Sequence, residues 1–139
     1  MGEHDDLTVD ECRQLLATRT RGRVGLTSRA LPVIVPVEYR YCDDTIVVHS
    51  DRDDGLRAAA AGDVLAFEID AFDQESGCGW SVLVLGRATE VRVDDGVRLL
   101  HLVTPGSASS TGDFATRGGR QVRMRCELVS GHRLVSSTV

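Results

Sequence analysis

Lysine is missing from this 139-residue chain, and all sixteen of its Lys/Arg positions are arginine. A pyridoxal-phosphate enzyme that anchors its cofactor as a lysine Schiff base is thereby excluded. Any phosphate must be held by arginine, histidine, hydroxyl or backbone N–H groups. Paired cysteines are missing too. Cys12, Cys42, Cys78 and Cys126 stand far apart, with no CxxC pair and no Cys/His spacing that suits zinc. They read as free thiols of a reducing compartment, and no metal site is expected. No apolar run approaches the ~20 residues of a membrane helix, and the MGEHDD start is acidic, so a cytoplasmic protein is expected. A net charge of -5 argues against nucleic acid as the main partner. No Ser-His-Asp, Cys-His or paired-carboxylate constellation stands out either. What remains is globular in balance, 42% hydrophobic and 27% charged, in one domain spanning 1–139 with no internal repeats.

The pattern is mainly β with short helices. Thr8 and Glu11 form a capping box for a helix that carries Val9, Cys12, Leu15 and Leu16 inward and ends near Thr18. Arg19 to Arg23 reads as a basic connector and Val24 to Ser28 as a first strand. After a polar loop at 51–55, Leu56 to Ala61 is a short Ala-rich helix closed by Gly62. Val64 to Ala71 alternates, with Leu65, Phe67 and Ile69 inward and Glu68 and Asp70 on a solvated face. Phe72 to Gly79 is a turn-rich link. Trp80 to Val93 is the longest strand, and its first half, WSVLVLG, is apolar on both faces, as in a strand buried on both sides. Asp94-Asp95 can cap a helix to about Val103, on which His101 reads as packed or half-exposed. The polar connection from Thr104 to Gly119 is long enough to be functional or disordered, and mobility without ligand is expected of it. Gln121 to Leu128 closes the pattern, with Val122, Met124, Cys126 and Leu128 inward and Arg123, Arg125 and Glu127 outward. A turn at Ser130-Gly131 and one more short strand would follow. Arg117, Arg120, Arg123 and Arg125 read as a solvated face rather than a nucleic-acid patch.

The centre of the pattern is LPVIVPVEYRYCDDTIVVHS, residues 31–50, two strands joined by a turn at Asp43-Asp44. Val33, Val35, Val37, Tyr39 and Tyr41 share one face. Pro36, set mid-strand, cannot donate to a ladder and so belongs on an edge or a bulge. Backbone beside it is free either for a covering element or for a ligand lying along the strand.

In their order, VIVPVEY, IVVHS, DDGLRAA with FEID, and GWSVLVLGRAT resemble the pyridoxamine 5'-phosphate oxidase-like family of FMN-binding split β-barrels. The closing VRMRCELVSGHRL is similar to the family's last strand, with His132 where an arginine is usual. The likeness spans roughly residues 8 to 135. It implies a homodimeric split barrel with two flavin sites in the interface. It further implies that Val35, Pro36 and Val37 meet the isoalloxazine edge, and that Trp80, Ser81 and Val82 line the flavin from a neighbouring strand or the partner subunit. At the phosphate end, relatives carry Arg-Thr and then Lys-Leu, where this chain has His49-Ser50 and Gly55-Leu56. Arg52 or Arg57 would have to supply the missing cation, beside backbone N–H groups at the start of the helix.

The resemblance therefore implies an FMN-dependent oxidoreductase acting on an unidentified small molecule. Its alternatives are a non-catalytic ligand-binding or sensor dimer with a degenerate flavin site, favoured by the absent lysine, and a deazaflavin-dependent reductase, which suits the GC-rich bacterial vocabulary of the chain.

Overall fold

A computed structural model describes residues 6–50, 56–90 and 120–135. In chain order the elements are α1 (Val9–Leu16), β1 (Arg21–Ser28), β2 (Leu31–Cys42), β3 (Thr45–Ser50), α2 (Leu56–Ala59), β4 (Ala61–Asp73), β5 (Cys78–Glu90), β6 (Arg120–Arg125) and β7 (Leu128–Leu134). The expected 51–55 loop, the helix after Asp94 with its His101, the Thr104–Gly119 connection and Arg117 lie outside the described residues. Among those described, no helix is long and apolar enough to cross a membrane.

Local chemistry starts and stops these elements. Thr8 accepts the Glu11 amide at 3.1 Å, and the Glu11 carboxylate accepts the Thr8 amide at 3.2 Å, which completes the capping box. The helix buries Cys12 and Leu16, whereas Val9 is turned to solvent. Two-residue turns at Arg29-Ala30 and Asp43-Asp44 have positive φ at both central positions, the backbone hand that matches strand twist in a tight hairpin. β1 begins at Arg21, inside the stretch expected to be a connector. Arg21 and Arg23 are held there by Glu38 and Glu68 across the sheet, at 3.3 and 2.8 Å. Half of the Phe72–Gly79 link is strand as well. β4 and β5 run on together to the Asp73–Cys78 pair and leave only a four-residue turn.

All strand pairing is antiparallel, and the ladder β1-β2-β3-β6-β5-β4 returns to β1, closing a six-stranded barrel. β7 lies against β5 outside that ring. The last segment is thus two strands rather than one running to Leu128. β6 stops at Arg125, and the Glu127 amide donates to the Leu85 and Arg125 carbonyls, stepping the chain sideways onto β5. Leu128 emerges 65% exposed, not inward as its spacing suggested. Ser130-Gly131 is not a turn but mid-strand, opposite Leu83 and Val82. Nor is β5 buried on both faces in a single chain. Val82, Val84 and Ala88 are in the core, while Leu83 on the other face is 38% exposed.

The core fills the barrel with alternate residues of every strand, and Tyr39 is central to it. Its ring packs edge-on to Phe67, with centroids 4.7 Å apart, and its hydroxyl donates to the Leu16 carbonyl at 2.6 Å. That bond satisfies both a buried phenol and an orphan carbonyl at the end of α1. The four cysteines are free thiols. Burial pushes the Tyr41 phenol up to about 12, with the Asp44 carboxylate beside it adding to the effect, and burial raises Tyr39 as well.

These are the only two tyrosines in the chain. A phenol that holds its proton more tightly folded than unfolded contributes stability below about pH 10, where free tyrosine titrates. That contribution drains away as pH rises from there toward about 12. Tyrosinate absorbance is therefore expected to appear together with loss of the β-sheet circular dichroism. A tyrosine titrating near pH 10 in a still-folded protein would contradict the packing described.

Candidate functional site

Among the described residues, the first half of β2 is paired on one flank and open on the other. β1 pairs with β2 from Leu31 to Glu38, but β3 reaches only to Glu38, opposite His49. The Tyr39 amide donates to Thr20 on the β1 side, so alternation turns the peptide groups of odd-numbered residues toward β1. The polar groups of Pro32, Ile34 and Pro36 therefore face the flank that β3 leaves open. Two of these residues are prolines with no N–H, and Ile34, 73% exposed, supplies the N–H between them. Pro36 is thus the edge residue that its mid-strand position indicated. Val35 and Val37 do not share that exposure. Their side chains are buried in the core, and their backbone groups belong to the β1 ladder. What β2 can offer a flat ligand is the Pro32, Ile34 and Pro36 carbonyls and one amide.

His49 and Ser50 end β3 where this open flank begins, and both are buried. His49 lies between Glu38 and Gln121 in the ladder, and both site residues are engaged in interactions already. Arg52 and Gly55 lie outside the described residues, as does the side chain of Arg57. α2 is a single turn, so its dipole offers an anion little.

Trp80 lies at the other end of the barrel. It lines a cavity of about 780 Å³ between α1, the β4–β5 turn and β7, walled also by Leu15, Phe72 and Cys78. The Arg19 guanidinium stands 5.3 Å from the ring centroid, a cation–π contact between residues that no local pattern pairs. Glu11 and Arg133 close one rim with a 2.6 Å ion pair, and the nearby Thr8 amide and hydroxyl hold the Glu11 carboxyl below the usual range. Ser81 is half-buried, opposite Asp70 and His132, and Val82 is core.

The structure does not bring these two groups together within one chain. Trp80–Val82 lie on β5, which is not adjacent to β2 in the sheet. β1 and β4 intervene between β2 and β5, a separation of three ladder spacings or roughly 14 Å along the sheet. Between them, on the outer surface, one register row runs Ile34, Gly25, Ala66, Leu85, Leu128 across five strands. It contains no polar side chain. Val64 and Leu83 extend this apolar face, and Arg23, bonded to Glu68 and Asp70 at 2.8 and 3.4 Å, borders it. Those carboxylates serve the expected solvated face, though burial and the Asp70 charge raise the Glu68 carboxyl.

The family model for pyridoxamine 5'-phosphate oxidase matches residues 8–133. The uncharacterized protein Rv0080 of Mycobacterium tuberculosis is 39% identical over 105 residues, covering 69% of each chain. Among solved structures, an FAD-binding protein from Mesorhizobium loti superposes with a TM-score of 0.73 at 24% identity, over 94% of this chain and 96% of its own. An FAD-binding protein from Mycobacterium smegmatis gives 0.68 at 24%, over 95% and 99%. At such identities these two matches speak to the fold.

Trp80 is the only tryptophan, so its emission reports on the 780 Å³ cavity directly. Arg19→Ala is expected to change that emission and to lower stability by about 0.5–1 kcal/mol, the size of an exposed cation–π contact. Emission identical to wild type would mean that Arg19 does not stand over the ring in solution.

Proposed function

The chain belongs to the pyridoxamine 5'-phosphate oxidase family, and from that premise we propose that it is a homodimeric flavin-dependent oxidoreductase acting on a small molecule. The observation that carries this reading is the open flank of β2. An isoalloxazine edge presents alternating donors and acceptors in one plane, and the Ile34 amide and carbonyl offer one matching donor and acceptor along an extended strand. The ring end of the site therefore fits a flavin. When bound, the flavin supplies the hydride or electron chemistry. The residues of this chain hold its edge, keep it in one plane against β2, and limit water access from the β3 side through buried His49 and Ser50.

FMN is the cofactor that the resemblance implies, and the solved relatives described as FAD-binding favour FAD as the second reading. Both share the ring and differ beyond the first phosphate. The homodimer is argued from two features. Trp80 and the β2 flank are too far apart to serve one ligand from one chain. The five-strand apolar row also exposes Ile34 and Leu128 by 73% and 65%, more than an isolated barrel surface usually leaves in one patch.

Fluorescence titration with FMN, FAD and riboflavin tests the cofactor, and sedimentation tests the dimer. Wild type is expected to sediment as two chains at micromolar concentration, and bound flavin is expected to quench Trp80. Leu85→Arg, placed within the row, is expected to give single chains with flavin affinity reduced at least tenfold, about 1.4 kcal/mol. A protein that binds none of the three flavins would instead support the sensor or deazaflavin reading. A wild-type monomer would remove the two-chain site.

A further inference from the structure

We infer that the outer surface shared by β3, β6 and β5 holds a second site, in which Arg87, Arg123 and Arg125 bind the phosphate group of a small phosphorylated molecule. The three arginines line one recess of about 410 Å³, together with the Thr45 and Thr89 side chains. The ladder puts them there. Arg123 pairs with Thr89 on β5, Arg125 pairs with Thr45 on β3, and the residues between them, Met124 and Ala88, point into the core. All three guanidinium groups are consequently on the outside of the barrel, and close approach fixes their spacing. A methyl group at Gly86 would overlap the Arg125 carbonyl, so β6 packs onto β5 here at a distance only glycine permits.

Their bonding state sets these arginines apart. Arg21 and Arg23 each pair with a carboxylate across the sheet, and Arg133 pairs with Glu11 on α1. Among the described residues, none of Arg87, Arg123 and Arg125 has a carboxylate within ion-pairing distance, although the chain carries a net charge of -5. Like charges gathered in a recess repel one another, and an anion with several acceptor oxygens relieves that repulsion. The Thr89 hydroxyl adds a neutral donor, while the Thr45 hydroxyl already donates to the Asp43 carbonyl at 3.3 Å. Asp43 and Glu127 also line the recess. Carboxylates in those positions oppose a long polyanion and favour a compact phosphate with amino or hydroxyl groups nearby. This surface is separate from the open β2 flank, so the inference does not depend on the flavin reading.

The test is calorimetric titration of the full chain with inorganic phosphate and with glycerol 3-phosphate. Both are expected to bind, the ester more tightly because its hydroxyls can meet Asp43 and Glu127. Arg123→Gln and Arg87→Gln are each expected to weaken the ester about tenfold, and Arg123→Lys by less, with flavin titration unchanged in all three. Arg87 is exposed, so Arg87→Gln carries the test if the Arg123 variant fails to fold. Equal affinity in wild type and Arg87→Gln would overturn the site. Stronger binding of a single-stranded oligonucleotide than of either phosphate probe would overturn it in favour of a nucleic-acid surface.

Discussion

Closure of the barrel depends on β5, the one strand with three partners. Along one flank it pairs with β4 from Cys78 to Thr89. Along the other it pairs first with β7, from Gly79 to Leu85, and then with β6, from Ala88 to Glu90. The changeover has to happen within about two residues, and Gly86 sits at that point. With no side chain there, the Arg125 carbonyl can lie against the strand while Glu127 redirects the chain. A closed ring leaves no edge to aggregate, and β5 closes this ring while still presenting a flank to β7. Among the described strands of the ring, the first half of β2 and both ends of β4 have a flank without a ladder partner, and in β2 two prolines restrict what can add to it.

The same closure explains why the two halves of the site are apart. α1 plugs one end of the barrel. Cys12 and Leu16 are buried there, and Gly131 approaches the Cys12 sulfur so closely that a methyl would sit 2.8 Å from it. Arg13 ties the helix to the β2–β3 turn with two bonds to Asp44, at 3.0 and 3.1 Å. α2 packs near the opposite end, where β3 stops. Trp80 belongs to the α1 end and the β2 flank opens toward the α2 end, so curvature and distance both prevent one chain from folding them over a common ligand. The proposed second copy would remove that constraint without changing either half, and the apolar row between them is the surface it would cover.

Much of this was legible in the sequence because it rests on local rules. The Thr8/Glu11 box, the two-residue hairpin turns and the alternation through Leu65, Phe67 and Ile69 are all set by neighbours within a few positions. So was the meaning of Pro36, since a missing N–H is a property of one residue. The failures share a different cause. Leu128 fits the alternation of Val122, Met124 and Cys126, and only the sideways step at Glu127, which depends on β5, turns it outward. The WSVLVLG run looks two-sided because pattern cannot tell a buried strand from one whose outer face is apolar and exposed. Val35 and Val37, which the resemblance placed beside Pro36 at a flavin edge, have their side chains in the core and their backbone in the β1 ladder. Arg19 over Trp80 joins residues sixty-one positions apart, and nothing in either local sequence announces it.

The all-arginine composition has a structural consequence. A guanidinium is a planar fork able to bond two acceptors at once, which an ammonium does less directionally. Arg23 uses that fork to span Glu68 and Asp70 on the next strand, and Arg13 uses it on both oxygens of Asp44. These pairs are about half-exposed, so each is worth no more than about 1 kcal/mol, and their effect is to favour one register over its neighbours rather than to hold the barrel together. Stability comes instead from the apolar interior. It follows that an arginine left without a carboxylate costs the fold little, provided it is on the outer surface. Among the described residues the Arg87, Arg123 and Arg125 group meets that condition, which is what the proposed phosphate site draws on.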